Sequence, residues 1–395
     1  MTRLWDKGEP LDELILRFTV GDDYRLDERL VAYDVRASCA HVRMLQEGGY
    51  LFAADADALC STLEAIGAEH AAGEWSIARE EEDCHTALER RLIDRLGDTG
   101  GRIHLGRSRN DQVLAALRLY LLDALETLCA TGAELIGALQ QLAQEQGAIP
   151  LPGYTHMQRA MPSSVRDWAL AFAAELEDGC LGLRASRRRI SKNPLGSAAG
   201  YGVPVLALDR AVTGRLLGFD VQQEPVTAVQ LSRGKAEATV VFELALLLQD
   251  AGRLAADLCL FATQEFAFVQ LPAGFTTGSS IMPQKRNPDV FELIRARSTQ
   301  LPAELQAILA ITAKMTSGYH RDLQLIKEPL FRAIDQGHDT LRVLAHAIPG
   351  IRFDSERTTQ AMDPSLFAAE RAYRLVQEEG IPFREAYQRV ARNKP

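Results

Sequence analysis

Apolar side chains return every three or four residues over most of this chain. Residues 27–47 repeat Leu30, Val31, Val35, Ala40, Val42 and Leu45 at helical spacing. Residues 115–146 do the same with long aliphatic side chains and no proline, and residues 166–190 are rich in Ala, Leu, Glu and Arg, all good helix formers. The stretch 236–269 differs in kind. Val240, Val241, Leu244, Leu246, Leu247, Leu248, Leu254, Leu258, Leu260 and Phe261 leave only a narrow polar stripe. A helix apolar nearly all round must be buried on most sides. At about 1.5 Å per residue it would run near 50 Å, which suits the centre of a multi-helix, multi-subunit bundle.

Strand signals are sparse. No alternation is strong enough for a sheet, and no βαβ pattern with a glycine-rich turn suggests a dinucleotide fold. The pattern predicts an all-α protein. Gly97–Gly106 separates an N-terminal helical region from the long helices, Ile149–Pro162 reads as a Pro/Gly-bounded loop, and Pro272–Pro288 is the longest non-helical segment. Pro349-Gly350 opens a last helical section, so the expected division is 1–106, 107–350 and 351–395.

Composition narrows the class. The 395 residues carry 44 Lys and Arg against 53 Asp and Glu, a formal charge of −9, which argues against a protein that tracks nucleic-acid phosphates. Six scattered cysteines, Cys39, Cys60, Cys84, Cys129, Cys180 and Cys259, lack the close spacing of zinc or redox motifs and read as reduced packing residues. No His, Cys, Asp and Glu set has ligand spacing, so no metal is expected. Met1–Asp6 lacks the apolar core of a signal peptide and no uncharged run approaches the roughly 20 residues that span a bilayer. The expectation is a cytoplasmic protein that binds neither nucleic acid nor membrane.

Polar chemistry gathers in three segments beside apolar helices. The first, Gly106–Gln112 (GRSRNDQ), opens a long helix, where the dipole and free N–H groups favour an anion and Arg107 and Arg109 add charge. For Ser108 or Asp111 alone a plain N-cap is the simpler reading. The second is Gly153–Pro162 (GYTHMQRAMP). Its His156 needs a carboxylate from elsewhere to be more than a surface histidine. The third, Phe275–Asp289 (FTTGSSIMPQKRNPD), combines a small-residue Thr-Gly-Ser-Ser run with Lys285 and Asn287. Such a loop can close over a ligand and let backbone amides approach it. A serine here can act as nucleophile or as base, although the Gly-x-Ser-x-Gly nucleophile elbow is absent and a generic Gly-Ser-Ser run reads as a flexible linker.

These strings resemble a known family. GSSIMPQKRNP at Gly278–Pro288 is similar to the shared loop of the fumarase/aspartase superfamily, and GRSRNDQV and GYTHMQRAMP look like its argininosuccinate lyase branch. Glu82–Arg91 (EDCHTALERR), Asp289–Arg295 (DVFELIR) and Tyr319–Lys327 (YHRDLQLIK) match in the same order, from about Leu4 to Tyr387. The resemblance implies a three-domain fumarase/aspartase-type fold, with a long-helix bundle shared in a homotetramer. It also implies composite active sites, no cofactor, and reversible β-elimination of argininosuccinate to arginine and fumarate in arginine biosynthesis. Ser279 then corresponds to the base, Lys285 and Asn287 to residues that stabilise the carbanion, and His156 with Glu292 to the site's imidazole–carboxylate pair. Whether His156 protonates the leaving guanidinium or only orients substrate and water stays open. His85, Ser108, Arg109, Asn110, Thr155, Tyr319, Gln324 and Lys327 correspond to substrate contacts.

The chain also departs from that pattern. Pro225–Lys235 (PVTAVQLSRGK) keeps only Ala228, Val229 and Arg233 of the usual string, Phe18–Asp27 carries a small insertion, and the C-terminal section after Tyr387 reads as short. Another substrate of the same superfamily, or a non-enzymatic relative that keeps the fold, shares many of these motifs. The intact Ser279, Lys285, Asn287, His156 and Glu292 favour the lyase.

Overall fold

The structure, a computed structural model, describes residues 12–392. Met1–Asp6, read above for a targeting signal, lies outside the described residues. Helices account for most of the described chain, as the periodicity predicts. In order they include α1 (Glu13–Val20), α2 (Val31–Glu47), α3 (Ala53–Ala71), α4 (Cys84–Leu96) and α5 (Arg109–Gln146). Then follow α6 (Val165–Ala185), α7 (Lys235–Phe261), α8 (Asp289–Ser298), α9 (Leu301–Thr312), α10 (Lys327–Ala347), α11 (Ala368–Glu379) and α12 (Phe383–Arg392).

Chain contacts divide the described residues into two compact units, one of residues 12–127, 183–242 and 302–334, the other of 128–182, 243–301 and 335–392. The five cuts fall within α5, α6, α7, α9 and α10.

In the first unit, α2 packs on α3 and α4 through Val35, Val42, Leu45, Leu59, Leu63 and Leu88, all buried. The helix starts at α4 and α5 are fixed locally. Asp83 caps α4 by accepting from the Thr86 amide at 2.9 Å. Ser108 caps α5, its hydroxyl accepting from the Asn110 amide at 3.3 Å while Asp111 accepts from the Ser108 amide at 3.0 Å. This reciprocal Ser-x-x-Asp pairing satisfies orphan donors at the helix start. The Gly97–Gly106 linker holds two short turns, Asp98–Gly101 and Arg102–His104.

The second unit is built around an aromatic cluster. Trp168 meets Phe172, Phe261 and Phe353 at ring-centroid distances of 5.5, 6.0 and 5.4 Å, and Phe268 lies 5.8 Å from Phe261. The Trp168 indole donates to Asp257 at 2.9 Å, so its polar end is satisfied. Gln146 at the end of α5 uses both ends of its amide, donating to the Ile351 carbonyl at 2.9 Å and accepting from the Phe353 amide at 2.8 Å. Two glycines let helices close on α7. A Cβ on Gly179 would lie 2.8 Å from Leu247, and one on Gly337 2.7 Å from Leu244.

Two expectations need correction. The apolar stretch 236–269 is not one helix: α7 stops at Phe261, because the Phe268 amide bonds back to the Phe261 carbonyl at 2.9 Å and Val269–Gln270 pairs antiparallel with Arg352–Phe353. Here apolar content follows burial, not helix length. The Ile149–Pro162 loop is in fact a hairpin, with β1 (Pro150–Thr155) antiparallel to β2 (Gln158–Ser164) and a bulge at Gly153/Tyr154. Three prolines and weak alternation hid it. The all-α class otherwise stands, since among the described residues only two-stranded pairings occur.

Phe261 contributes rings to three partners, so truncating it leaves a cavity the cluster cannot refill. Phe261→Ala is expected to destabilise the protein by about 3–5 kcal/mol. Chemical denaturation checks this, and a loss below about 1 kcal/mol would contradict the assigned packing.

Candidate active site

Five of the sequence-predicted residues line one pocket in the first unit: His85, Arg109, Tyr319, Gln324 and Lys327. They reach it from the starts of α4, α5 and α10 and from the turn leading into α10. At helix starts, the backbone geometry holds side chains in place and exposes N–H donors.

Lys327, the first residue of α10, is buried, with Nζ 2.5 Å from both Asp23 Oδ1 and Asp27 Oδ1. Burial alone would strip its charge, but Asp27 and Asp23 outweigh that and hold it protonated, its pKa raised above the usual lysine value. Asp23 responds the other way. Burial, together with Asp27 and Asp83, outweighs the attraction of Lys327 and lifts its carboxyl to about 7.

His85 is equally buried and pairs with Asp34 at 3.0 Å. Burial works against its imidazolium, while Asp34, Asp83 and Asp27 favour it, and the net shift is upward. Arg109 is engaged with Asp83 at 3.0 Å and Glu82 at 3.3 Å. Gln324 donates to the Thr19 and Val20 carbonyls at 3.1 and 3.0 Å, so the end of α1 is fastened to the pocket wall.

Asp23, Asp27, Glu82, Asp83 and Arg321 share this pocket and were not singled out from the sequence. A signal existed: Asp23 and Asp27 are four residues apart, the spacing that puts two carboxylates on one helical face. Arg233, from the divergent 225–235 segment, lines the pocket as well. Asp27, Cys84 and His85 bring ligand atoms within 4.8 Å of one another. Lys327 already supplies the cation beside Asp27, and Asp34 already takes the His85 ring, so this grouping reads as an ion-pair network.

Ser108 and Asn110 are half-buried beside Arg109, and the Asn110 carbonyl accepts from Gln230 at 3.4 Å. Asp111 does more than cap. Its second oxygen accepts from the Gly196 and Ala198 amides at 3.1 and 2.8 Å, fixing a loop 85 residues away. Burial raises its pKa to about 6 despite these donors.

The remaining predicted residues belong to the second unit. Thr155 ends β1 and His156 with Met157 forms the two-residue turn, both exposed and with φ of 53° and 59°. Ser279 lies in a loop closed at its neck by Thr277 and Asn287, whose amides and carbonyls exchange bonds of 3.2 and 2.9 Å. The Asn287 side chain donates to the Thr277 hydroxyl at 3.4 Å. The Ser279 oxygen accepts from the Ile281 and Met282 amides at 3.3 and 3.2 Å. Such turns form on their own, but two N–H donors on one hydroxyl oxygen also favour its ionised form. Lys285 is exposed, as is Glu292 in the first turn of α8. Within one chain, His156 and Glu292 form no hydrogen bond or ion pair with each other.

The Asp23 shift has a testable sign. A carboxyl lifted from 3.8 to about 7 stabilises the fold while protonated, below about pH 4, and loses that contribution as the pH rises through 7. Relative to Asp23→Asn, the wild type should therefore lose stability between pH 4 and 7. Parallel stability–pH curves for the two proteins would contradict the shift.

Comparison with known proteins gives the family. A family model described as Lyase matches residues 8–302. Argininosuccinate lyase of Sorangium cellulosum is 49% identical over 98% of this chain and 90% of its own length. That of Thermotoga neapolitana is 40% identical over 98% and 97%. An EDDS lyase variant solved with bound fumarate superposes with a TM-score of 0.81 at 25% identity, covering 98% of this chain and 76% of that one. A class II fumarase from Schistosoma mansoni shares the fold, with a TM-score of 0.80 at 19% identity over 95% and 87%. On both sequence and fold, the chain belongs to the lyase family, in its argininosuccinate lyase branch.

Proposed function

We propose that the chain catalyses the reversible β-elimination of argininosuccinate to arginine and fumarate. The observation that carries this is the Ser279 loop, with a serine oxygen cradled by two amides on a family-matched string. Ser279 as alkoxide takes the proton from the succinyl carbon next to the C–N bond. The electron pair is delocalised into the neighbouring carboxylate, with Lys285 and Asn287 meeting the developing charge, and preorganised donors are worth most there. The C–N bond then breaks, the double bond of fumarate forms, and the departing guanidino nitrogen gains a proton. His156 with Glu292 stands as the pair for that step or for orienting substrate.

The pocket of the first unit suits the other end of such a substrate. It offers carboxylates and cations together, the complement of a zwitterionic amino acid. His85, Ser108, Arg109, Asn110, Thr155, Tyr319, Gln324 and Lys327 are assigned to substrate binding in this reading. The 1–106, 107–350 and 351–395 division belongs to the same proposal.

We place the protein in a homotetramer with composite sites. Phe242 and Leu246 on α7, Leu170 and Leu181 on α6 and Leu309 on α9 are 39–56% exposed. Large apolar side chains on such faces call for cover. A second copy also offers His156 a route to Glu292 that one chain lacks. No helix among the described residues is long and apolar enough to cross a membrane, and the six cysteines are free, which fits a cytoplasmic setting.

Purified protein is expected to convert argininosuccinate to fumarate, read by ultraviolet absorbance, and Ser279→Ala to lower kcat by about a thousandfold or more with the fold intact. A wild type that produces no fumarate would sink the assignment. Composite sites have their own test. Ser279→Ala and Lys327→Ala, each inactive alone, should regain activity after co-dissociation and reassembly, whereas a site contained in one chain gives none.

A further inference from the structure

A basic cavity lies in the first unit, outside the pocket described above. It measures about 330 Å³ and is lined by Arg189, Lys192, Gln223, Ser232 and Lys235. No acidic residue lines it. The side chains of Arg189, Lys192 and Lys235 make no hydrogen bond or ion pair among the described residues, whereas neighbouring Arg187 and Arg210 are paired with Asp220 and Glu224. Three unpaired cations around one cavity are notable in a chain of net charge −9.

The charge continues beneath the floor. Arg118 is 1% exposed and donates to the Lys192 carbonyl, to Gln223 Oε1 at 2.8 Å and to Ser232 Oγ at 2.6 Å. Its three acceptors all belong to residues of the cavity wall. Its Nε has no hydrogen-bond partner among the described residues, and neither have Nε and Nη1 of buried Arg233. Glu237, 3.7 Å from Arg233, is the carboxylate that both guanidinium groups share. Two buried arginines on one carboxylate leave a positive charge uncompensated, which burial makes costly. Burial and Arg233 accordingly lower the Arg118 pKa to about 10. Lys235 opens α7, so the positive end of a 27-residue helix dipole adds to the same field.

We propose that this cavity binds a small oxyanion carrying two or more charges, of the phosphate or sulfate type. The anion contacts Arg189, Lys192 and Lys235 and offsets the buried charge of Arg118 through the wall. Chloride is too weakly hydrogen-bonding and too low in charge to satisfy three donors. The site is separate from the elimination chemistry and does not rest on it. Its occupancy stabilises the 223–236 segment, part of which diverges from the family pattern and carries Arg233 into the first pocket.

Titration calorimetry of the assembled wild-type protein with inorganic phosphate, sulfate and chloride at matched ionic strength tests this. Phosphate and sulfate are expected to bind at millimolar or lower concentration and chloride not to bind. The triple variant Arg189→Gln, Lys192→Gln, Lys235→Gln keeps Arg118 and the core intact and should weaken phosphate binding about tenfold or more. Arg297→Gln, an exposed arginine elsewhere, should leave it unchanged. Failure of the wild type to bind either oxyanion would overturn the proposal. So would a triple variant with undiminished affinity, or an equal loss in Arg297→Gln, which would mark a general charge effect.

Discussion

The Lys327 ammonium touches Asp27, 300 residues earlier in the chain, and Asp23 beside it, each at 2.5 Å. An unpaired ammonium at that depth would cost several kcal/mol, and so would the two carboxylates without it. The first pocket therefore exists only as an electrostatic whole. Lys327 answers Asp23 and Asp27, His85 answers Asp34, and Arg109 answers Glu82 and Asp83. These pairs join the N-terminal segment, the start of α4, the start of α5 and the start of α10. Helix starts are where a bundle exposes donors and changes direction, so one set of charges both holds the helices in register and forms the wall.

The second set of residues is organised on a different principle. Ser279, Lys285, His156 and Glu292 are not locked in ion pairs, and three of them are exposed. Their support is backbone: amides on Ser279 Oγ, a two-residue neck at Thr277 and Asn287, and a tight hairpin under His156. Groups that must change protonation or move with a ligand are poorly served by buried pairs. A backbone cradle fixes the atom's position and leaves its side-chain partners unassigned within the chain.

The sequence revealed the helices because the burial of long amphipathic segments is written at a period of 3.6. It revealed the candidate site strings because polar clusters beside apolar helices are conspicuous. It was silent where physics depends on contacts distant in the chain. Nothing local says that Asp23 faces Lys327, that Asp34 takes His85, or that Asp111 reaches past its own helix to Gly196. The end of α7 was hidden for the same reason, since Phe268 and Val269 are as apolar as the helix before them and just as buried, though they lie outside it.

The hairpin was missed for a more instructive reason. A two-residue turn with positive φ at both central positions is ordinarily Asn-Gly, because other side chains meet their own backbone there. Here the positions are His156 and Met157, at about 1–3 kcal/mol of strain each in such conformations. Turn propensity cannot explain that choice, and neither can packing, since Met157 is 69% exposed and His156 is exposed beside it. What the geometry does achieve is to hold an imidazole at the apex of a rigid strand pair, clear of its own chain. Strain of this sort persists where the side chain's position matters more than the turn's comfort, and an imidazole held at a fixed apex is what the proposed role of His156 requires.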